Sequence, residues 1–186
     1  MKTLMPFIAI ALIFNTVLAS ADPGGRMILN GQTEDCSLFT ALNGSKAVPE
    51  YCKEEGGTRS RFTDQTSTPA EPVVLQRVTF DFDSAHLTSD AQVDLSRVAK
   101  AMRDPVSQHQ VYRLDGHTDL QGDPGYNRDL SRRRAYSVRR HLINLGVPAS
   151  RLSAKGFGSA RLANPSDPYS LENRRVEVVN LSQGGS

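Results

Sequence analysis

Gly116–Leu142 reads GHTDLQGDPGYNRDLSRRRAYSVRRHL. It closes a stretch, HQVYRLDGHTD, in which Val111, Arg113 and Asp115 alternate against Tyr112, Leu114 and Gly116. Alternation of this kind predicts a strand, because successive side chains in an extended chain point to opposite faces. The Gly-, Asp- and Pro-containing loop GHTDLQGDPG follows. A helix is then predicted from about Tyr126 to Leu145, stopping at Gly146 and Pro148. Upstream, VVLQRVTFDFD puts Val78, Phe80 and Phe82 on one face of a strand. Ser89 with Gln92 three residues on has the pattern of a capping box, and the helix after it aligns Leu95, Val98, Ala99 and Met102 before Pro105 ends it. Downstream, RLSAKGFG and RRVEVVNL supply two more strands. The order β-α-β-α-β-β predicts an α/β two-layer sandwich, with two helices packed on one face of a small mixed sheet.

The helix within the quoted stretch carries six arginines: Arg128, Arg132, Arg133, Arg134, Arg139 and Arg140. Each helical residue advances about 100°, so with Leu130 at zero the apolar arc holds Leu145 near 60°, Val138 near 80° and Leu142 near 120°. Arg132, Arg133, Arg139 and Arg140 fall between about 180° and 300°, on the solvated side, and Arg128 lies at the margin near 160°. Arg134 lies at about 40°, inside the apolar arc, with Asn127 at about 60°. A guanidinium turned toward a core needs a partner, because an unpaired buried charge is very costly. One reading is an internal salt bridge to Asp115, Asp119 or Asp123. The other is an arginine held to grip a ligand carboxylate with its planar fork. The loop favours a ligand: free N–H groups at the helix start suit anions, and Asp119 beside Arg134 would suit a zwitterion, the acid taking an ammonium and the arginine a carboxylate.

The chain has 186 residues, of which 38% are apolar and 6% aromatic, with no Trp and a net charge of +2. This composition allows one domain with an appendage, and the charge gives no field pointing to nucleic acid. Residues 1–21 show Lys2, an apolar run from Leu4 to Ala19 and then Ala19-Ser20-Ala21, the order of a secretory signal peptide cleaved after Ala21. The run is interrupted by Pro6 and Asn15 and is shorter than the roughly 20 residues of a spanning helix. Export would let the only two cysteines, Cys36 and Cys52, close a disulfide worth about 3 kcal/mol in the loop-entropy model. Residues 22–52 form a short Cys-bearing segment with one or two helical turns around DCSLFTALNG, N-capped by Asp35 and stopped at Asn43-Gly44. Its apolar content is too small for a separate core, so the disulfide is expected to order it. Residues 53–72 read as a polar linker, 73–181 as the regular domain and 182–186 as a disordered tail.

Several motifs together carry a resemblance: FDFDSAHL, GHTDLQG, YNRDLSRRRAYSVRRHLINLGVP, RLSAKGFG and NRRVEV, in this order from about Val73 to Leu181. The sequence resembles the OmpA-like C-terminal domain family, shared by OmpA, Pal and MotB. The resemblance implies a βαβαββ sandwich that binds peptidoglycan non-covalently, holding the diaminopimelate of the stem peptide. It implies that Asp119 and Arg134 contact the ligand, that Thr118, Asn127 and Leu130 line the pocket, and that Phe82 and Asp83 border it at a strand end. Of the pair Arg174-Arg175, the resemblance leaves open which reaches the site. It implies localisation in the periplasm or at the outer membrane, and neither catalysis nor a cofactor. The family's N-terminal β-barrel, lipid-acceptor cysteine and stator helix have no counterpart in the motifs of this sequence. The Cys-bearing segment matches no known function, and an outer-membrane or other envelope protein is its expected partner.

Three other readings compete. Asp115, His117 and Asp119 recur every second residue and would face one way on a strand, an arrangement open to a metal ion. No activated nucleophile or second ligand cluster accompanies them, so metal-dependent catalysis is the remote reading and no metal site is expected. Nucleic-acid binding through the basic helix is disfavoured by the signal peptide and the near-neutral charge. A periplasmic adaptor that uses its disulfide segment to bind an envelope protein is compatible with wall binding.

Overall fold

The computed structural model describes residues 35–44, 49, 52, 73–75, 80 and 84–182. The signal-peptide and linker readings, and the Phe82 and Asp83 positions, lie outside the described residues. Helix α1 is Asp35–Asn43, strand β1 Val73–Leu75, helix α2 Ser89–Arg103, strand β2 Tyr112–His117, helix α3 Pro124–Asn144, strand β3 Leu152–Gly158 and strand β4 Val176–Asn180. The sheet order is β1-β4-β2-β3, with β2 and β3 parallel and both other pairings antiparallel. The α3 crossover joins the parallel pair, as a parallel connection requires. This is the mixed, helix-covered sheet expected from the sequence.

Alternation decides which face of the sheet is covered. Tyr112 and Leu114 of β2, Leu152 of β3, and Val176 and Val178 of β4 share one core with Leu95, Val98 and Met102 of α2 and Ala135, Val138 and Leu142 of α3. The α2 stripe named above is buried throughout, at 0–1% exposure. Two glycines bring α3 unusually close to the sheet. A Cβ on Gly116 would collide with the Ser131 carbonyl, and one on Gly156 would lie 2.7 Å from the Arg128 carbonyl oxygen and from the Arg132 Cα. The helix backbone therefore rests directly on β2 and β3, which fixes where its N-terminal half, and the loop before it, can sit.

Some local expectations shift. Thr88, one residue before the expected cap, accepts from the Ala91 N–H at 3.3 Å, and Ser89 begins α2. Gln92 does not complete a capping box, since its side-chain amide donates to the Leu87 carbonyl instead. Phe80 stands in an isolated bridge with Leu87, apart from strand β1. Asp35 lies within α1 and accepts from Arg97 at 3.0 Å and Lys100 at 2.9 Å; the hydrogen bond from Lys100 leads the causes holding its carboxyl below the ordinary value. Gly44 and Gly146 take positive φ, 77° and 91°, where α1 and α3 stop.

Helix α1 is not a separate disulfide-ordered piece. Cys36 and Cys52 are joined, with Cα atoms 5.6 Å apart. Yet Leu38, Phe39 and Leu42 are each 1% exposed and belong to the same core cluster as the sheet. The Tyr112 hydroxyl donates to the Asn43 side chain, and the Asn180 amide donates to the Leu42 carbonyl at 2.8 Å. Three apolar residues are too few for their own core but enough to join an existing one. Among the described residues, no helix is long and apolar enough to cross a membrane.

Candidate functional site

The loop from Thr118 to Asp123 is held at both ends. The His117 N–H donates to the Arg175 carbonyl at 2.9 Å, and the Thr118 N–H to the Gly158 carbonyl at 3.0 Å. Asp123 caps α3, accepting from the Tyr126 N–H at 2.8 Å, with Pro124 at the first helical position where no N–H is needed. The Asn127 amide reaches back to the Gln121 carbonyl at 2.8 Å, so α3 fastens its own entry loop. The Gly158 N–H donates to Ser131 Oγ at 2.9 Å and ties β3 to the same turn of helix.

Asp119 is 5% exposed, buried at the start of this loop. Its Oδ1 accepts from the Gln121 N–H at 3.2 Å and its Oδ2 from Arg174 Nε at 2.6 Å. Of the adjacent arginines, then, Arg174 reaches the site. Arg175 runs to the other face of the sheet and pairs with Glu177 at 2.7 Å. Thr118 in the loop and Asn127 and Leu130 in the first turns of α3 are buried, and Thr118 Oγ1 has no hydrogen-bond partner among the described residues. Arg134, further along α3, is half-buried as the helical angle predicts. Its Nε donates to the Ser84 carbonyl at 3.2 Å and its guanidinium lies over the Phe80 ring, 4.9 Å from the centroid. Ser84 is the neighbour of Phe82 and Asp83, whose own placement is not described. Asp115 is taken by Arg113 at 2.6 Å, Asp119 by Arg174, and Asp123 by the helix cap. None of the three acids considered as internal partners of Arg134 serves that purpose.

The arginines of the outer helix face need one correction. Arg132 and Arg133 are exposed and share Asp129 at 2.6 and 2.5 Å, and Arg140 is exposed. Arg139, expected on the solvated side, is half-buried and donates to the Leu152 and Ala149 carbonyls at 2.8 and 3.1 Å. At about 180° it sits only some 60° from the apolar arc, within reach of a long side chain that lays its stem along the β3 entry. The metal reading also changes. Asp115, His117 and Asp119 turn to different partners, His117 lying parallel to the Phe157 ring with centroids 5.4 Å apart. Among the described residues no cluster of three His, Cys, Asp or Glu side chains is placed to hold a metal ion.

The sheet face turned away from the helices carries a buried charge array. His117 is 2% exposed, with Nε2 3.7 Å from Glu177 Oε2, too long for a hydrogen bond. Burial pushes the Glu177 carboxyl up, but the facing His117 and the Arg175 guanidinium together outweigh it and bring it down to about 2. Arg151, which the motifs did not single out, donates to the Gln110, Met102 and Ser107 carbonyls at 2.7, 2.9 and 2.6 Å and lies over the Tyr112 ring.

Residues 79–176 match the model of the family described as the OmpA family. The chain belongs to the OmpA family. One family relative, the peptidoglycan-associated lipoprotein of Agrobacterium fabrum, is 30% identical over a match covering 88% of this chain and 95% of that protein. The protein of that name from Mesorhizobium japonicum is 37% identical, covering 59% of this chain and 65% of its own length. This second match thus spans less than two thirds of the relative. Among solved structures, the OmpA-like domain of FopA1 from Francisella tularensis aligns with TM-score 0.50 at 20% identity, covering 58% of this chain and 77% of that one, a likeness of fold.

Proposed function

We propose that this OmpA-family chain is an exported, non-catalytic envelope protein of the periplasm that binds peptidoglycan through the diaminopimelate of its stem peptide. By this binding it would hold itself, or a partner, at the cell wall. Asp119 takes the ligand's ammonium and Arg134 its carboxylate, with Thr118, Asn127 and Leu130 shaping the pocket and Phe82 and Asp83 bordering it. The observation that carries the reading is Asp119: a buried carboxylate fixed by a backbone N–H and the Arg174 guanidinium, in a loop fastened to the helix that also presents Arg134. A carboxylate held at two oxygens is preorganised for a third, charge-assisted contact. The names of the relatives, peptidoglycan-associated lipoproteins, support peptidoglycan as the polymer bound. The adaptor reading is less favoured, because α1 turns its apolar residues into the domain core and leaves only its polar side for a partner.

The test is sedimentation of the purified chain with insoluble peptidoglycan, competed with free diaminopimelate. Release by diaminopimelate, and not by Nα-acetyl-lysine amide at the same concentration, is expected. The blocked lysine keeps its side-chain ammonium but has no free carboxylate, so equal release by both would contradict the assignment.

A further inference from the structure

We propose that Leu120, Tyr169 and Leu171 form a saccharide subsite beside Asp119, one that takes an amino-sugar ring of the glycan strand bearing the stem peptide. This rests on the reading of the Asp119 loop as a peptidoglycan site and extends it from the peptide to the sugar. The three side chains are large, apolar and open to solvent, at 46%, 61% and 71% exposure. They lie on two loops joined at the site: the Leu120 N–H donates to the Pro168 carbonyl at 3.0 Å, and Arg174, three residues after Leu171, grips Asp119.

The second loop is not loose. Asn173 is fully buried; its amide donates to the Asp167 carbonyl at 2.9 Å, and its side-chain oxygen accepts from the Asn164 N–H at 2.9 Å. Asn164 in turn accepts from the Asp167 N–H at 3.0 Å, and Asp167 from the Tyr169 N–H at 3.2 Å. The backbone that carries these side chains is fastened in this way, so a ligand arriving there does not have to order the loop.

A pyranose ring suits such a ledge. Its C–H face packs on an aromatic or aliphatic surface, and its hydroxyl and acetamido groups reach the polar rim. Tyr169 offers a flat, amphipathic surface with few rotors. Three side chains are far fewer than the roughly 20–30 residues a side of a stable protein interface. The neighbouring Asp167 and Glu172 are unsuited to an anionic lipid surface.

The experiment compares two soluble ligands by calorimetry: a diaminopimelate-containing stem peptide, and the same peptide on its disaccharide. Wild type is expected to bind the disaccharide form roughly threefold to tenfold more tightly. A Tyr169→Ala, Leu171→Ala double variant, at exposed positions, should keep the peptide affinity and lose the gain. No gain in wild type, or a gain that survives in the variant, would overturn the subsite. Should the bare peptide fail to bind while the disaccharide form binds and depends on Tyr169, the diaminopimelate clamp falls and the ledge stands. Failure of both ligands to bind would overturn both.

Discussion

Replacing Glu177 with Gln tests whether the buried charge array on the sheet face turned away from the helices supports the fold as its geometry requires. The side chains of Glu177 and Arg175 are only 9% and 2% exposed and meet at 2.7 Å, one strand away from the β2 end that leads into the Asp119 loop. The carboxyl lies at about 2 in the folded protein, against 4.5 for the free group. Because the folded value is depressed, its contribution to stability is present above about pH 4.5 and is lost as pH falls toward 2. The shift corresponds to about 3 kcal/mol. Glu177→Gln keeps the shape and removes the carboxylate charge that faces Arg175 and His117, so a loss of about 3 kcal/mol is expected near pH 7. The assay is urea unfolding of both proteins from neutral pH down to about pH 2.5, read as their difference in unfolding free energy. That difference should shrink as the pH falls through the window, because wild-type Glu177 becomes protonated too. A difference constant across the range would refute the electrostatic account and point to packing alone.

Three further outcomes follow from particular contacts. Gly156→Ala places a Cβ against the backbone of Arg128 and Arg132, which cannot yield as a side chain would; about 2–3 kcal/mol should be lost in thermal or urea unfolding. Arg151→Ala strips three carbonyls of their shared donor and should cost about 2–3 kcal/mol, with Arg151→Lys recovering only part, as checked by the same unfolding assay. Reducing the Cys36–Cys52 bond should lower the melting temperature of the whole domain in one calorimetric transition, because α1 shares the common core. Two separate transitions would show that α1 is an independent unit.

The sequence made some features legible and hid others, for physical reasons. Alternation and helical period are local, so Tyr112–His117, the α2 stripe and the inward angle of Arg134 were all readable in advance. The close approach at Gly116 and Gly156 was not, because a glycine in a strand looks the same whether its face is open or lies under a helix. The Arg174–Asp119 pair spans 55 residues, and local spacing gives no guide to a contact of that range. Arg175 and Glu177, by contrast, stand two apart on one strand face, a signal that was present and could have separated the two adjacent arginines. Arg139 was misplaced because a helical angle locates the Cβ and not the end of a long side chain. Helix α1 had too few apolar residues to suggest a core, and only the tertiary structure supplies the surface it completes.

The most direct test of the central claim measures retention on purified peptidoglycan by wild type, Asp119→Ala, Arg134→Ala and Arg133→Ala at a temperature where circular dichroism shows all four folded. Arg133 is exposed on the outer face of α3 and paired with Asp129, so its variant should bind as wild type does. Losing one charge-assisted contact to the ligand costs about 1.5–3 kcal/mol, so Asp119→Ala and Arg134→Ala should each weaken binding roughly ten- to a hundred-fold. Equal retention of all four proteins would contradict the clamp.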